Sequence, residues 1–330
     1  MRVVTLEEHI SLPQFDNRIS KEARIARGWP DPASSASPMA RVEKQLQEVG
    51  DQRIKSMDEG GILMQVLSVT APGGDILETS EAIPYAKEYN DEIKRLVDVH
   101  PDRFSAFAVL PMKAPEAAAE ELERAVKGLG FVGTMINGTT DDKFLDDAQF
   151  ASILSQAEAL DVPVYIHPNL PIKAVNNVYY NNLPGARGFT LSIAGWGWHS
   201  ETAIHVLRMI LAGTFDKYPK LKIIIGHMGE MLPMMMTRID NIYKDAGLTR
   251  AVSEVLKSNV WITTSGLFTQ PPLQLALDTF GVDRILFSVD YPYSPNTAGQ
   301  KFLSEMNIPA EDKEKIAHGN ADKLLKLKVQ

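Results

Sequence analysis

Five side chains of types that bind divalent cations follow four separate apolar runs of the sequence. Two stand after the first run, and one each stands after the fifth, the sixth and the eighth: Glu7, His9, His167, His227 and Asp290. In an extended strand Glu7 and His9 project to the same side, because side-chain direction alternates. Imidazoles and carboxylates suit a borderline ion such as Zn²⁺ or Mn²⁺ that keeps one position open for water or substrate. A single histidine after a strand is more often structural, but five suitable groups after four runs favour a metal centre.

The elements that would position these groups form a regular alternation. The eight β-rich apolar runs cover 2–6, 62–68, 104–110, 131–136, 162–166, 221–225, 260–264 and 284–288. Stretches of helical periodicity lie between them, for example 114–127, 150–160 and 202–211. Strands that alternate with helices predict a parallel sheet covered by helices, and a count of eight favours a closed (β/α)₈ TIM barrel over an open sheet. We expect one barrel domain over residues 1–330, with its chemistry at the C-terminal strand ends.

Two long segments do not fit the alternation. Residues 12–40 are polar and rich in Pro and Ser, and residues 169–199 contain aromatic side chains directly after the fifth run. Long segments inside a compact domain are more often functional than idle. We predict that the first is a loop folded over the C-terminal mouth of the barrel.

The composition excludes several classes of protein. The 330 residues contain 34 basic and 42 acidic side chains, a net charge of −8, and no basic run. Nucleic acid is therefore a poor candidate for a partner, because its binding needs clustered Lys and Arg. The absence of cysteine removes disulfides, thiolate nucleophiles and Cys-based metal sites. Neither a signal peptide nor a membrane span is evident, so we expect a cytoplasmic protein.

Motifs spread over nearly the whole chain resemble the amidohydrolase-2 branch of the amidohydrolase superfamily. They are Glu7-x-His9, His167-Pro168, GTFDKYPKLKIIIGHMGE at 213–230, TTSG at 263–266, DRILFSVDYP at 283–292 and GNA at 319–321. Within that branch the chain is most similar to metal-dependent hydroxybenzoate decarboxylases of the γ-resorcylate, 2,3-dihydroxybenzoate and 5-carboxyvanillate types. Those enzymes resemble this chain in having Glu-x-His in strand one, where hydrolytic branches have His-x-His.

The resemblance implies a site and an activity. One divalent ion, Mn²⁺ or Zn²⁺, would be held by Glu7, His9, His167 and Asp290. His227 would stand beside it, paired with Glu230 one helical turn on, and this catalytic pair would hold or exchange the phenolic proton of the substrate. The implied reaction removes CO₂, without redox, from an ortho-hydroxylated aromatic carboxylic acid, and Asp290 would protonate the ring carbon that bears the carboxylate. The family and the Met-rich segment 228–236 favour a homodimer or homotetramer.

Four residues are candidates for substrate binding. The 5-carboxyvanillate type suggests an arginine near the site in each of two regions, at Arg53 and Arg238. Arg238 lies about 12 Å along a helix from Glu230, so it would serve a neighbouring subunit, and a solvated position is an equal alternative for both arginines. Tyr293 is expected over the substrate ring or bonded to a ring substituent. Trp198 is expected either in an aromatic wall of the site or as a hydrophobic plug.

Two other functions remain open. A hydrolase or hydratase of the same superfamily would use metal-activated water on a lactone or a ring-fission product, with His227 or Asp290 as the base. A catalytically silent barrel is the third possibility, although it has no chemical reason to retain all five groups. The remaining histidines are expected to be structural or solvent-facing: His100, His199, His205 and His318.

Overall fold

A ring of eight parallel strands forms the centre of the computed structural model, which describes residues 1–31 and 38–328. The strands are β1 Val4–Ile10, β2 Met64–Val69, β3 Phe104–Ala106, β4 Thr134–Asn137, β5 Pro163–His167, β6 Lys222–Ile225, β7 Val260–Thr263 and β8 Ile285–Leu286. Each strand overlaps one of the eight apolar runs. The first extends to Ile10, so Glu7 and His9 lie within β1 rather than beyond its end.

The strands pair in chain order and close on themselves. Pairing runs from β1 through β2 to β3, and from β4 through to β8, with every pair parallel. Two backbone bridges join these groups, Ala108 with Thr134 and Glu8 with Tyr291. The predicted (β/α)₈ barrel is confirmed, and its parallel strands bring all their C-terminal ends to one face.

Helices surround the ring. In the described ranges, those of eight or more residues are Asp51–Glu59, Thr79–Val99, Pro115–Arg124, Ala151–Leu160, Gly197–Leu211, Leu232–Tyr243, Val252–Asn259, Gln270–Phe280 and Asn296–Glu305. Shorter α-helices are Pro13–Asp16, Lys21–Arg27, Glu43–Gln47, Lys173–Val175, Arg187–Ser192, Thr214–Lys217, Ala310–Glu314 and Asn320–Leu325. None of these helices combines the length and the apolar character of a membrane span.

Single helical turns complete the secondary structure of the described ranges. The π-helical turns are Ala125–Leu129, Asn176–Tyr180 and Lys315–Gly319, and the 3₁₀ turns are Pro38–Arg41, Gly73–Ile76, Ala148–Phe150, His227–Gly229 and Val282–Arg284. The two long segments predicted as irregular therefore contain short helices. Residues 32–37 of the first segment lie outside the described ranges.

Two apolar layers hold the barrel together. Buried side chains between the strands and the helices form the larger layer. The interior of the ring holds a second cluster that includes Val4, Leu6, Tyr165, Ile224 and Leu286, and the helix Asn320–Leu325 covers one end of it. Full burial of one such aliphatic side chain stabilises the fold by about 1.5–3 kcal/mol.

A β-bulge in β1 decides which side chains enter the ring. Thr5 lies opposite Gln65 but Glu8 lies opposite Leu67, so β1 has one extra residue between these pairs. Leu6 belongs to the interior cluster, and regular alternation would bring Glu8 inside after it. The extra residue instead turns Glu7 inward. The displaced N–H groups of Leu6 and Glu7 donate to Ser288 Oγ at 3.1 and 2.7 Å, which satisfies buried backbone donors.

Candidate metal centre

Three ligand atoms converge at the C-terminal end of the barrel interior. Glu7 Oε1 lies 3.5 Å from His167 Nε2, and His9 completes a group whose ligand atoms lie within 4.8 Å of one another. Asp290 Oδ1 lies 3.3 Å from His9 Nε2. Neighbouring ligands around a tetrahedral ion with bonds of about 2.1 Å are about 3.4 Å apart, so these separations match shared coordination.

Glu7 Oε1 and His9 Nε2 are buried and have no hydrogen-bond partner. Buried polar atoms without partners are rare, because each one forfeits its hydration without compensation. Both of these unpartnered atoms have a lone pair that can coordinate a cation, and both face the same point. The donor set therefore fits one divalent ion.

Neighbouring polar groups fix the orientation of each ligand. The second oxygen of Glu7 accepts hydrogen bonds from Tyr165, Ser265 and Thr263, the last at 3.1 Å. His167 Nδ1 lies 3.1 Å from Asn137 Oδ1, and His9 Nδ1 lies 3.2 Å from Ser68 Oγ. Such partners hold each imidazole with Nε2 toward the metal position.

The electrostatics of the buried groups also suit a cation. Burial lowers the pKa of His9 to about 4 and that of His167 to about 3, so both are neutral imidazoles near pH 7. Burial would raise the pKa of Glu7, but His227, His167 and His9 together lower it. Burial and the nearby Glu7 charge raise the pKa of Asp290 well above its usual value. A divalent ion between these carboxylates would remove their repulsion.

A second cluster stands beside the first. Glu230 accepts from His227 Nδ1 at 2.7 Å and from His199 Nδ1 at 2.6 Å. Although burial opposes it, the charges of Glu230 and Glu7 raise the pKa of His227 to about 10. Burial opposes the shift of Glu230 as well, yet His227 and His199 lower the pKa of that carboxyl to about 2. His227 is therefore an imidazolium at neutral pH, 3.7 Å from Glu7.

The turn that carries His227 is left-handed. Residues 227–231 all have positive φ, including His227 at 48°, Glu230 at 52° and Met231 at 66°. The predicted single turn between His227 and Glu230 is present with the opposite hand. Left-handed backbone costs about 1–2 kcal/mol for each residue other than glycine, and such strain concentrates at functional sites. Gly226 precedes the turn, where a Cβ would lie 2.9 Å from Glu7 Oε2.

A cavity of about 290 Å³ opens above these clusters. His167, His227 and Asp290 line its polar side. Its other walls include the aromatic rings Trp29, Trp198 and Tyr293 and the apolar side chains Ala71, Ile193 and Leu267. The volume lies near the lower limit for small-molecule sites and suits a single substituted ring.

Both long segments contribute to this cavity, Trp29 from the first and Trp198 from the second. Trp198 packs near His167, with ring centroids 6.2 Å apart. Tyr293 lies edge-on to His9, and its hydroxyl meets Thr70 Oγ1 at 2.8 Å. The sequence had no spacing pattern that could single out Trp29.

Two sequence-based expectations, those for Arg53 and His199, need correction. Arg53 does not line the cavity: it is fully buried, its Nε donates to Gln65 at 2.9 Å, and its Nη2 donates to the His9 carbonyl at 2.9 Å. Its helix packs outside the ring, so the guanidinium reaches β1 from behind. Arg238, expected either to be solvated or to serve a neighbouring subunit, is exposed and lies away from the cavity of its own chain. His199 was expected to be structural or solvent-facing, but its ring lines the cavity and binds Glu230.

Comparison with known proteins gives a family and relatives that match nearly the whole chain. A family model described as Amidohydrolase matches residues 31–327. Decarboxylase orsB of Emericella nidulans is 37% identical over 99% of this chain and 98% of its own, and γ-resorcylate decarboxylase of Polaromonas sp. is 36% identical over 98% of each. The chain is also similar to a crystal structure of dihydroxybenzoic acid decarboxylase from Polaromonas sp., which contains bound manganese and the inhibitor 2-nitroresorcinol. The TM-score is 0.86 at 34% sequence identity, and the match covers 100% of this chain and 98% of that one.

The chain belongs to the amidohydrolase family. Its resemblance to the hydroxybenzoate decarboxylases is confirmed, since relatives that match nearly its whole length are decarboxylases. It is accordingly an enzyme of the carboxy-lyase class, and a single divalent ion such as Mn²⁺ fits its glutamate and histidine cluster.

Proposed function

We propose that this enzyme removes CO₂, without redox, from an aromatic acid with a hydroxyl group ortho to its carboxylate. The observation that carries the proposal is the convergence of the unpartnered Glu7 Oε1 and His9 Nε2 with His167 beneath a cavity for one ring. Glu7, His9, His167 and Asp290 would hold the ion. When bound, it would supply positive charge to the substrate carboxylate and the ortho oxygen.

Asp290 is the proton donor in this proposal. Direct loss of CO₂ would leave an aryl anion, so proton transfer comes first. The ortho group reacts as the phenolate, its proton having passed to solvent on binding: Asp290 gives its proton to the ring carbon that bears the carboxylate, the ring supplies the electron pair, and the phenolate oxygen becomes a carbonyl. The bond to the carboxylate then breaks, its electrons restore the aromatic ring, and Asp290 recovers a proton from solvent. Asp290 Oδ2 lies beside Gly266 on the cavity wall, which supports this role.

His227 stabilises the negative charge on the ortho oxygen. Because its pKa is about 10, it already carries a proton and donates a hydrogen bond rather than accepting the phenolic proton. Glu230 lies behind it at 2.7 Å and fixes which ring nitrogen faces the cavity. His199 shares Glu230 and so helps to hold this carboxylate in place.

The cavity also indicates the charge of the substrate. Neither lysine nor arginine lines it among residues 1–31 and 38–328, and residues 32–37, 329 and 330 contain neither type. A cation held by Glu7, His9, His167 and Asp290 would, together with His227, neutralise one carboxylate. Trp29, Trp198 and Leu267 offer no partner for a second. The preferred substrates therefore carry neutral groups at their other ring positions.

The test combines metal analysis with an assay of substrates. The purified enzyme, assayed by ultraviolet absorbance and CO₂ release, should bind close to one Mn²⁺ and decarboxylate 2,6- or 2,3-dihydroxybenzoate. It should leave 3-hydroxybenzoate and 4-hydroxybenzoate, which lack the ortho hydroxyl, unchanged. Opening of lactones without release of CO₂ would instead establish a hydrolase. Absence of bound metal from an active enzyme would also contradict the proposal.

A further inference from the structure

Glu8, the residue between the ligands Glu7 and His9, has no place in the mechanism although it is completely buried. Its side chain reaches the segment that carries Asp290. Glu8 Oε1 accepts from Val289 N–H at 3.0 Å and from Ser288 Oγ at 2.9 Å, and Oε2 accepts from Tyr291 N–H at 3.2 Å. One carboxylate thus binds the backbone amides on both sides of Asp290.

Asp290 has a conformation that needs such support. Its φ is 70°, in the left-handed region that costs a residue with a side chain about 1–2 kcal/mol. The backbone of His9 also donates to the Tyr291 carbonyl at 2.7 Å. These bonds connect β1, which carries two ligands, directly to the segment that carries the fourth.

We infer that Glu8 is a positioning residue whose carboxylate brackets Asp290 and thereby sets its place relative to Glu7 and His9. The inference rests on the proposed metal centre and decarboxylation. It assigns the two neighbouring glutamates different tasks, since Glu7 binds the ion and Glu8 fixes the ligand opposite.

Arg53 and Gln65 complete the support on the same side of β1. Gln65 Nε2 donates to Glu8 Oε2 at 3.2 Å, and Gln65 Oε1 accepts from Arg53 Nε at 2.9 Å. Arg53 also binds the His9 carbonyl and stacks 4.9 Å from the Tyr291 ring centroid. The arginine that the sequence suggested for substrate therefore braces the ligands from outside the cavity.

The replacement Glu8→Gln tests the bracket with almost no change in size. Whichever way the new amide turns, one of the N–H groups beside Asp290 faces another N–H instead of an acceptor. We expect the Mn²⁺ dissociation constant, measured by electron paramagnetic resonance, to rise by about 10–100-fold, the usual effect of losing a group that holds a metal ligand. At saturating Mn²⁺ the loss should appear in kcat more than in KM, because Asp290 acts in the chemical step.

Glu121→Gln is the matched control. Glu121 is also buried, accepts from Asn90 at 2.7 Å, and lies on the helix Pro115–Arg124 away from the cavity. The Glu121→Gln replacement should lower the thermal midpoint of the metal-free protein without changing its affinity for Mn²⁺. Glu8→Asp keeps the charge but is one methylene too short to reach both amides, so its Mn²⁺ affinity should also fall.

Three outcomes would overturn the inference. The first is that Glu8→Gln binds Mn²⁺ as tightly as the wild-type enzyme, and the second is that Glu8→Asp does so. The third is that Glu121→Gln loses as much Mn²⁺ affinity as Glu8→Gln does. If Glu8→Gln does not fold, Glu8→Asp decides alone. Failure of the wild-type enzyme to bind Mn²⁺ and release CO₂ would refute the proposed function as well, whereas an active wild-type enzyme with unimpaired Glu8 variants refutes only this inference.

Discussion

The two faces of β1 carry adjacent glutamates in opposite surroundings. Glu7 faces the cavity side, where Oε1 has no hydrogen-bond partner, and its pKa is lowered because three histidines outweigh the effect of burial. Glu8 faces the other way, where four donors meet its two oxygens and burial nevertheless raises its pKa to about 7. The inner face leaves atoms unsatisfied for a ligand, and the outer face satisfies them to hold the backbone.

The two environments show at which positions this fold gives up stability for function. Unpaired buried groups reduce the stability of the metal-free protein, while hydrogen-bonded ones preserve a single geometry. Replacements on the inner face should therefore abolish activity with little effect on folding. Replacements on the outer face should reduce stability, and they should affect metal binding and the rate only by moving the ligands.

The largest effect on activity is expected from Glu7→Gln. It removes an anionic ligand, so Mn²⁺ binding should be lost and CO₂ release should fall by more than about 100-fold, beyond the range for groups that only hold ligands in place. The metal-free variant should be slightly less stable than the wild-type protein, because the amide loses the attraction of the histidines for the carboxylate, which outweighs the cost of its burial. Metal analysis, steady-state kinetics and urea denaturation measure these quantities. A variant that keeps its metal and its rate would invalidate the comparison.

His227→Asn should be next in size. Loss of the imidazolium should lower kcat by about 10²–10⁴-fold, as for other groups that act on protons or developing charge, while Mn²⁺ remains bound. In the wild-type enzyme Glu230 raises the pKa of His227 against the effect of burial, so the charged form is retained at neutral pH and the rate should fall only on the alkaline side, where His227 loses its proton. A pH profile at constant Mn²⁺ saturation checks this. Wild-type kcat in the variant would exclude the role given to His227.

A second carboxylate on the substrate should have an intermediate effect. Two 2-hydroxybenzoates can be compared that differ only in a methyl group or a carboxylate at one other ring position. The dicarboxylate should show a kcat/KM about 100-fold lower, since an unpaired buried charge costs several kcal/mol. Equal kcat/KM values would mean that a cation reaches the cavity, and Arg238→Ala would then show whether a neighbouring subunit supplies it.

Arg53→Met should change the rate least and stability most. It leaves the Glu8 and Gln65 side chains without their cation, so the free energy of unfolding should fall by about 3–5 kcal/mol. At saturating Mn²⁺ the loss of kcat should be about tenfold or less. Arg238→Met, at an exposed position, is the control and should change stability by no more than about 0.5 kcal/mol. A large loss of rate with unchanged stability would place Arg53 on the substrate side after all.

Much of the fold could be predicted because it depends on local pattern. Each of the eight apolar runs contains most or part of a strand. The helices Ala151–Leu160 and Gly197–Leu211 overlap the stretches 150–160 and 202–211, which are predicted from helical periodicity. The hand of the turn at His227 could not be predicted in this way. Four of its five residues are not glycine, so only the surrounding contacts hold them in left-handed backbone.

The same distinction between local pattern and tertiary contacts applies to the site residues. The types and spacing of Glu7, His9 and His167 depend only on the sequence, and the structure brings these groups together. The meeting of His199 with Glu230 and the place of Arg53 behind β1 depend on packing between distant elements, for which a single sequence offers no periodic signal.

Local sequence is sufficient to predict that strands alternate with helices, that a metal centre must use carboxylate and imidazole, and that Glu7 and His9 share one side of a strand. Which side that is depends on contacts that form only in the folded barrel. Regular alternation from Leu6 would have brought Glu8 into the ring, and the bulge that turns Glu7 inward is held by Ser288, 281 residues further along the chain. Local periodicity specifies neighbours along a strand, but a displaced register needs a hydrogen-bond partner that only the closed barrel supplies.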